Sequence, residues 1–234
     1  MYKYENKFSI LLKILAFLFN QKQAAMYMYE DYLFLLSPPE AIKQEISRYK
    51  RASAKLIGNY KSMDSPAHIS VHHLERQKPF MEETNLNKIE KGLNELPPAL
   101  LHVDGFKFFQ HLHNRMTIYA HIRVTPAVDE WFTQLKRLLK IRKTIIPHIT
   151  VTRDVAGPDF ERLWPNFRHK KLVEPFWVNE LIMLKRETFA HEPQWQPFKI
   201  FEFKNKQTMA NTAEAILYKQ AAADNQIQDQ INLF

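Results

Sequence analysis

The chain has 234 residues, 45% of them hydrophobic and 25% charged, a balance that suits one large domain or two fused lobes and excludes a disordered chain. It contains no cysteine, which excludes structural disulfides, thiolate metal sites and a cysteine nucleophile, while ten histidines keep imidazole chemistry open. The formal charge of +8 favours anionic partners such as RNA or nucleotides, although its distribution over "YKRASAK" (49–55), "KRLLKIRK" (136–143) and "RHKK" (168–171) also suits ordinary solvated helix faces.

Residues 1–28 read as an extension outside the fold. The apolar run "FSILLKILAFLF" (8–19) is shorter than the roughly 20 residues a spanning helix needs, and Lys13 interrupts it. A signal-like segment, with "QAA" as its cleavage site, and an upstream start codon are both open readings. The fold is expected over 29–204. "YLFLL" (32–36) is a strand stopped by Ser37-Pro38-Pro39, and 40–57 carries apolar residues at helical spacing. A strand at 67–74, a helix across 81–96 and a strand "GFKFF" (105–109) come next. The pattern then restarts: strand "TIYAHIRV" (117–124), stopped by Thr125-Pro126, helix 127–141 and strand 148–153. A short helix near 159–164 and strands at 176–186 and 195–203 complete it. An internal duplication accounts for the order, with lobe-forming repeats at about 30–110 and 115–204. The Gln/Asn/Ala-rich stretch 205–234 is a polar tail or a peripheral helix.

The duplication places "SPAHISVHHL" (65–74) opposite "IPHITVTR" (146–153). A lone His-x-Ser or His-x-Thr is weak evidence, but here Pro upstream, Ile in the middle and Val after the hydroxyl recur at equivalent positions. Side chains alternate along a strand, so His68 and Ser70 share one face, as do His148 and Thr150, while Ile69, Val71, Ile149 and Val151 face the other way. If the halves pair about a pseudo-two-fold axis, both sets converge on one cleft. Two imidazoles can then divide acid and base work at a phosphorus centre, and two hydroxyls can donate to its non-bridging oxygens. That chemistry requires no metal and no cofactor.

With these motifs, together with "YLFLLSPPEAIKQEI" and "FWVNELIMLKR", the chain resembles the two-histidine phosphoesterases over roughly residues 30–203, and among them the bacterial 2′-5′ RNA ligase/RNA 2′,3′-cyclic phosphodiesterase group. The resemblance implies a bilobal α+β fold of two pseudo-two-fold-related antiparallel-sheet-plus-helix halves around a central cleft. It implies metal-independent opening of a 2′,3′-cyclic phosphate at an RNA or nucleotide end, leaving a 2′-phosphate. His68 and His148 would be the acid–base pair, with Ser70 and Thr150 as phosphate-binding hydroxyls. Arg153 stands where the group often has an arginine, although strict alternation sends it to the face opposite His148. Ser70 replaces the more frequent threonine, and His73 an apolar or aromatic residue; both departures bear on substrate preference.

Tyr119, His121 and Arg123 form the polar face of their strand and are candidate substrate contacts or a solvent face, and His72 is expected on the cleft face beyond Ser70. Phe108, Phe109, Trp177 and Trp195 read as core. His102 with "HLH" (111–113) suggests a metal site, but no neighbouring carboxylates complete a ligand spacing. Ligation of RNA ends through a 2′-5′ linkage uses the same site in reverse, and an RNA-binding module with a decayed site is the alternative from another class. A cytoplasmic monomer without membrane association is expected.

Overall fold

Two helices begin where the sequence stops a strand with proline. In the computed structural model, which describes residues 29–78 and 83–206, helix α1 spans Glu40–Ile57 directly after Pro39. It buries Ile42, Ile46, Tyr49, Lys50 and Ser53 along one stripe and ends at Gly58, where φ is +79° and the N–H bonds Ala54 O. Helix α3, Pro126–Leu138, is capped by Thr125, whose hydroxyl accepts from Val128 N at 3.3 Å; Val128, Trp131, Phe132 and Leu135 are its buried stripe. The other helices are α2, Glu83–Glu95, and α4, Gly157–Leu163. The expected extension 1–28, and all but the first two residues of the expected tail 205–234, lie outside the described residues.

Among the described residues, eight strands form one antiparallel sheet in the order β6-β3-β4-β5-β2-β1-β7-β8. They are β1 Glu30–Leu36, β2 Ile69–Gln77, β3 Ala99–His111, β4 Arg115–Ile122, β5 His148–Ala156, β6 Val173–Val178, β7 Glu180–Glu187 and β8 Gln196–Glu202. The fold is mixed α+β, with four α-helices among the described residues. The sheet is two four-stranded halves, β2-β1-β7-β8 and β5-β4-β3-β6, joined at its middle by a single pair, Ile69↔Ile149. Both isoleucines are fully buried, and a continuous core of strand and helix side chains runs beneath both halves.

The lobes are not the contiguous stretches 30–110 and 115–204. Strand β3 lies in the first stretch but pairs with β4 across a tight turn at 112–114, because a short connection between antiparallel strands makes them neighbours. Strands β7 and β8 return from the second stretch to pair beside β1. The expected strand 176–186 is two strands that part at Asn179, β6 ending one lobe and β7 entering the other. Each lobe therefore holds chain from both halves of the sequence.

Candidate active site

The pairing Ile69↔Ile149 sets the centre of the site. One step outward on either side, antiparallel geometry aligns His68 with Thr150 and Ser70 with His148, all four on the face opposite the buried isoleucines. The two imidazoles are anchored alike: His68 Nδ1 lies 2.8 Å from Pro66 O, and His148 Nδ1 lies 2.6 Å from Ile146 O. A carbonyl only accepts, so in each ring Nδ1 carries the proton that it donates. The other nitrogen, Nε2, has no hydrogen bond among the described residues and stands as an acceptor when the ring is neutral.

Both histidines are held below the ordinary imidazole range. For each, burial is the leading cause and the carbonyl bonded to Nδ1 opposes it. His68 is lowered further by the positive charges of Lys50, His148 and Arg153, whereas Arg153 acts in this way on His148. The two sites thus match in geometry and differ in charge, with His68 facing more positive neighbours.

A bulge in each histidine strand resets the direction of the side chains beyond the motif. Ser70 and His72 pair with the adjacent residues Leu35 and Phe34, so Val71 is one residue too many; Thr150 and Thr152 pair with Tyr119 and Ile118, so Val151 is likewise extra. Alternation resumes out of phase beyond both. Thr152 becomes fully buried and Arg153 is turned out to the side of His148 and Thr150, against the expectation from strict alternation. The same shift corrects the expectation for His72. It pairs with Phe34 on the core side, its ring stacked 6.3 Å from that of Phe34, rather than continuing from Ser70 on the cleft face. His73 takes the outward position equivalent to Arg153, with its ring 5.6 Å from Trp195 and its Nδ1 3.3 Å from Glu75.

Strand β4 lies beside β5 and places His121 opposite His148 and Tyr119 opposite Thr150, so both share the open face. Tyr119 is 5% exposed: its ring stacks on Phe109 at 4.2 Å and meets His148 edge-on at 5.1 Å, so it walls the histidine rather than lying open to a base. Phe109, expected in the core, also touches His148 with centroids 5.0 Å apart. His121 Nε2 lies 3.0 Å from Lys107 Nζ, which adds a cation beside the site. Arg123 lies just past β4, where its Nε pairs with Asp104 at 3.1 Å; the guanidinium is engaged by a carboxylate of its own chain. Trp177, also expected in the core, is 60% exposed on edge strand β6 beside Leu100. Among the described residues no group of three or more His, Asp or Glu side chains gathers to hold a metal, and no helix is long and apolar enough to cross a membrane.

Lys50, Lys107, His73 and Phe109 thus join a neighbourhood in which sequence reasoning did not place them. Lys50 had a signal, since it falls four residues after Ile46 on the buried stripe of α1. Lys107 and Phe109 alternate on a strand whose neighbour only the topology reveals.

An antiparallel α+β sheet with two imidazole–hydroxyl strands meeting at its centre is the architecture of a two-histidine phosphoesterase. Residues 38–188, more than half of the chain, match the family model of the 2′-5′ RNA ligase superfamily, and the chain belongs to that superfamily. In fold it is similar to E. coli LigT complexed with 3′-AMP, at 15% identity and a TM-score of 0.53 over 75% of this chain and 98% of that one. It is also similar to TT0787 of Thermus thermophilus, at 14% identity and a TM-score of 0.53 over 74% of this chain and 98% of that one. No curated protein sequence matches the chain.

Proposed function

We propose that the chain hydrolyses 2′,3′-cyclic phosphodiesters at RNA or nucleotide ends, with His68 and His148 as the acid–base pair. The observation that carries the reading is the matched anchoring of the two rings, each with Nδ1 on the carbonyl two residues before it and Nε2 unclaimed. A singly protonated pair is the working form. The charge of Lys50 acts on His68 and not on His148, which supports His68 as the base and His148 as the acid. His68 Nε2 takes a proton from water as its oxygen bonds phosphorus. The bond from phosphorus to O3′ breaks, and His148 Nε2–H delivers a proton to O3′, leaving a 2′-phosphate and a free 3′-hydroxyl. The Ser70 and Thr150 hydroxyls and the Arg153 guanidinium donate to the non-bridging oxygens, where charge grows in the transition state. The chain's net charge of +8 supports a polyanionic substrate.

The test is incubation with a nucleoside 2′,3′-cyclic phosphate and with a short RNA carrying that end, in EDTA, with products separated by chromatography. A 2′-phosphate formed by the wild type and absent with His68→Ala and His148→Ala is expected, and the ratio of the two rates reports the preferred substrate size. No product from either substrate overturns the reading, and loss of turnover in EDTA that added metal restores overturns its metal-free form.

A further inference from the structure

The buried face of α1 carries a charge that the proposed acid–base steps do not use. Lys50 is 3% exposed, and its Nζ donates to Ser62 O at 2.8 Å and Ser65 O at 2.7 Å. Those carbonyls belong to the turn that leads into Pro66, and Pro66 O is the acceptor that holds His68 Nδ1. One ammonium therefore ties down the segment from which His68 is presented. The same segment reaches β5, since Ser62 Oγ and the Tyr60 hydroxyl approach Val151 O, the carbonyl of the bulge before Arg153, at 3.5 and 3.3 Å. The Tyr60 hydroxyl also lies 3.0 Å from Lys50 O.

We infer that Lys50 is a positioning residue for His68: its ammonium fixes the 62–65 turn from which that ring, and not the otherwise matched His148, is presented. The inference deepens the acid–base reading and rests on it for its functional meaning. The charged and titratable groups facing the pair are Asp64 on the turn, with His148 and Arg153 from β5. Burial lowers Lys50 itself to about 8, with Asp64 opposing, so it is charged at and below neutrality. Arg153 acts on both rings, whereas Lys50 acts on His68 alone, as does His148 itself, so Lys50 is the charge from outside the pair that separates the two.

The test follows the His68 and His148 imidazole resonances by NMR through a pH titration of the full chain, as wild type, Lys50→Met and Lys50→Arg. Removing a neighbouring positive charge favours the imidazolium, so Lys50→Met should raise the His68 midpoint by about half a pH unit, the size of one partly screened charge. His148 should stay within about 0.1 unit, and Lys50→Arg should restore His68. In turnover of a nucleoside 2′,3′-cyclic phosphate, Lys50→Met should lower kcat about tenfold with KM changed less than about twofold, the pattern of a lost transition-state arrangement. An unchanged His68 midpoint in Lys50→Met overturns the inference. If that variant does not fold, the wild type decides: its His68 signals should show a second inflection near pH 8 as Lys50 loses its proton, and a flat trace there overturns the inference. A wild type inert toward cyclic phosphates would instead sink the acid–base reading, because the resonances titrate without substrate.

Discussion

Two histidines that look interchangeable in the sequence are made unequal by what surrounds them. Both lie below the ordinary imidazole value because burial penalises the charged ring. The bell-shaped dependence of kcat/KM should accordingly centre on the acid side of about pH 6.5, since that profile reports the free protein's acid and base; a steady-state pH series checks it. Stability carries the same sign. A histidine whose folded value is depressed binds fewer protons in the native than in the unfolded chain, so stability is full above the unfolded value and is lost as pH falls through about 6.5 toward the folded value. Urea midpoints should therefore drop between about pH 7 and pH 5, and His68→Gln with His148→Gln should flatten that dependence. The hydroxyls act on the transition state rather than on the fold. Ser70→Ala and Thr150→Ala should each lower kcat about 10- to 1000-fold, by analogy with losing one donor to a developing oxyanion, at nearly unchanged melting temperature.

The two bulges show how an element can carry function that alternation alone would deny. Val71 and Val151 occupy equivalent positions in their strands, and each inserts one residue into its ladder. In β5 the result is an outward Arg153 above a buried Thr152. The bulge carbonyl of Val151 is met by Tyr60 and Ser62 from the turn that follows α1. Removing both hydroxyls, with Tyr60→Phe and Ser62→Ala, should leave that carbonyl poorly satisfied at a cost of about 1–3 kcal/mol. It should also lower kcat/KM several-fold through Arg153. In an Arg153→Ala background the same pair should lower kcat/KM no further, and additive losses would show that the bulge does not work through the arginine.

Across the whole molecule, the exchange of strands between halves makes the lobes interdependent. Strand β3 leaves the first half of the chain to join the second lobe, and β7 leaves β6 at Asn179 to join the first. Neither lobe is a continuous segment that could fold by itself, and the core runs beneath both. Urea unfolding followed by far-ultraviolet circular dichroism and by tryptophan fluorescence should give one coincident transition. Ile149→Ala should shift that transition as a unit by about 2–5 kcal/mol, the ordinary cost of emptying a fully buried isoleucine site. Two separable transitions would mean that the lobes are independent after all.

The histidine–hydroxyl strands and the Pro-stopped helices were legible because each depends on local rules: alternation along a strand, 3.6-residue spacing along a helix, and proline's inability to continue either. His68, Ser70, His148 and Thr150 share the open face for that reason. The direction of the side chains just beyond each motif was not legible. A bulge depends on how a strand pairs with its neighbour, so the inward turn of His72 and the outward turn of Arg153 come from registers with β1 and β4 that no run of residues states. Which chain segments build each lobe was hidden for a related reason, since pairing between distant strands is chosen by the whole packed sheet. The difference in charge between the two imidazoles likewise belongs to the tertiary structure, because Lys50 reaches the neighbourhood of His68 only through the packing of α1 beneath the sheet.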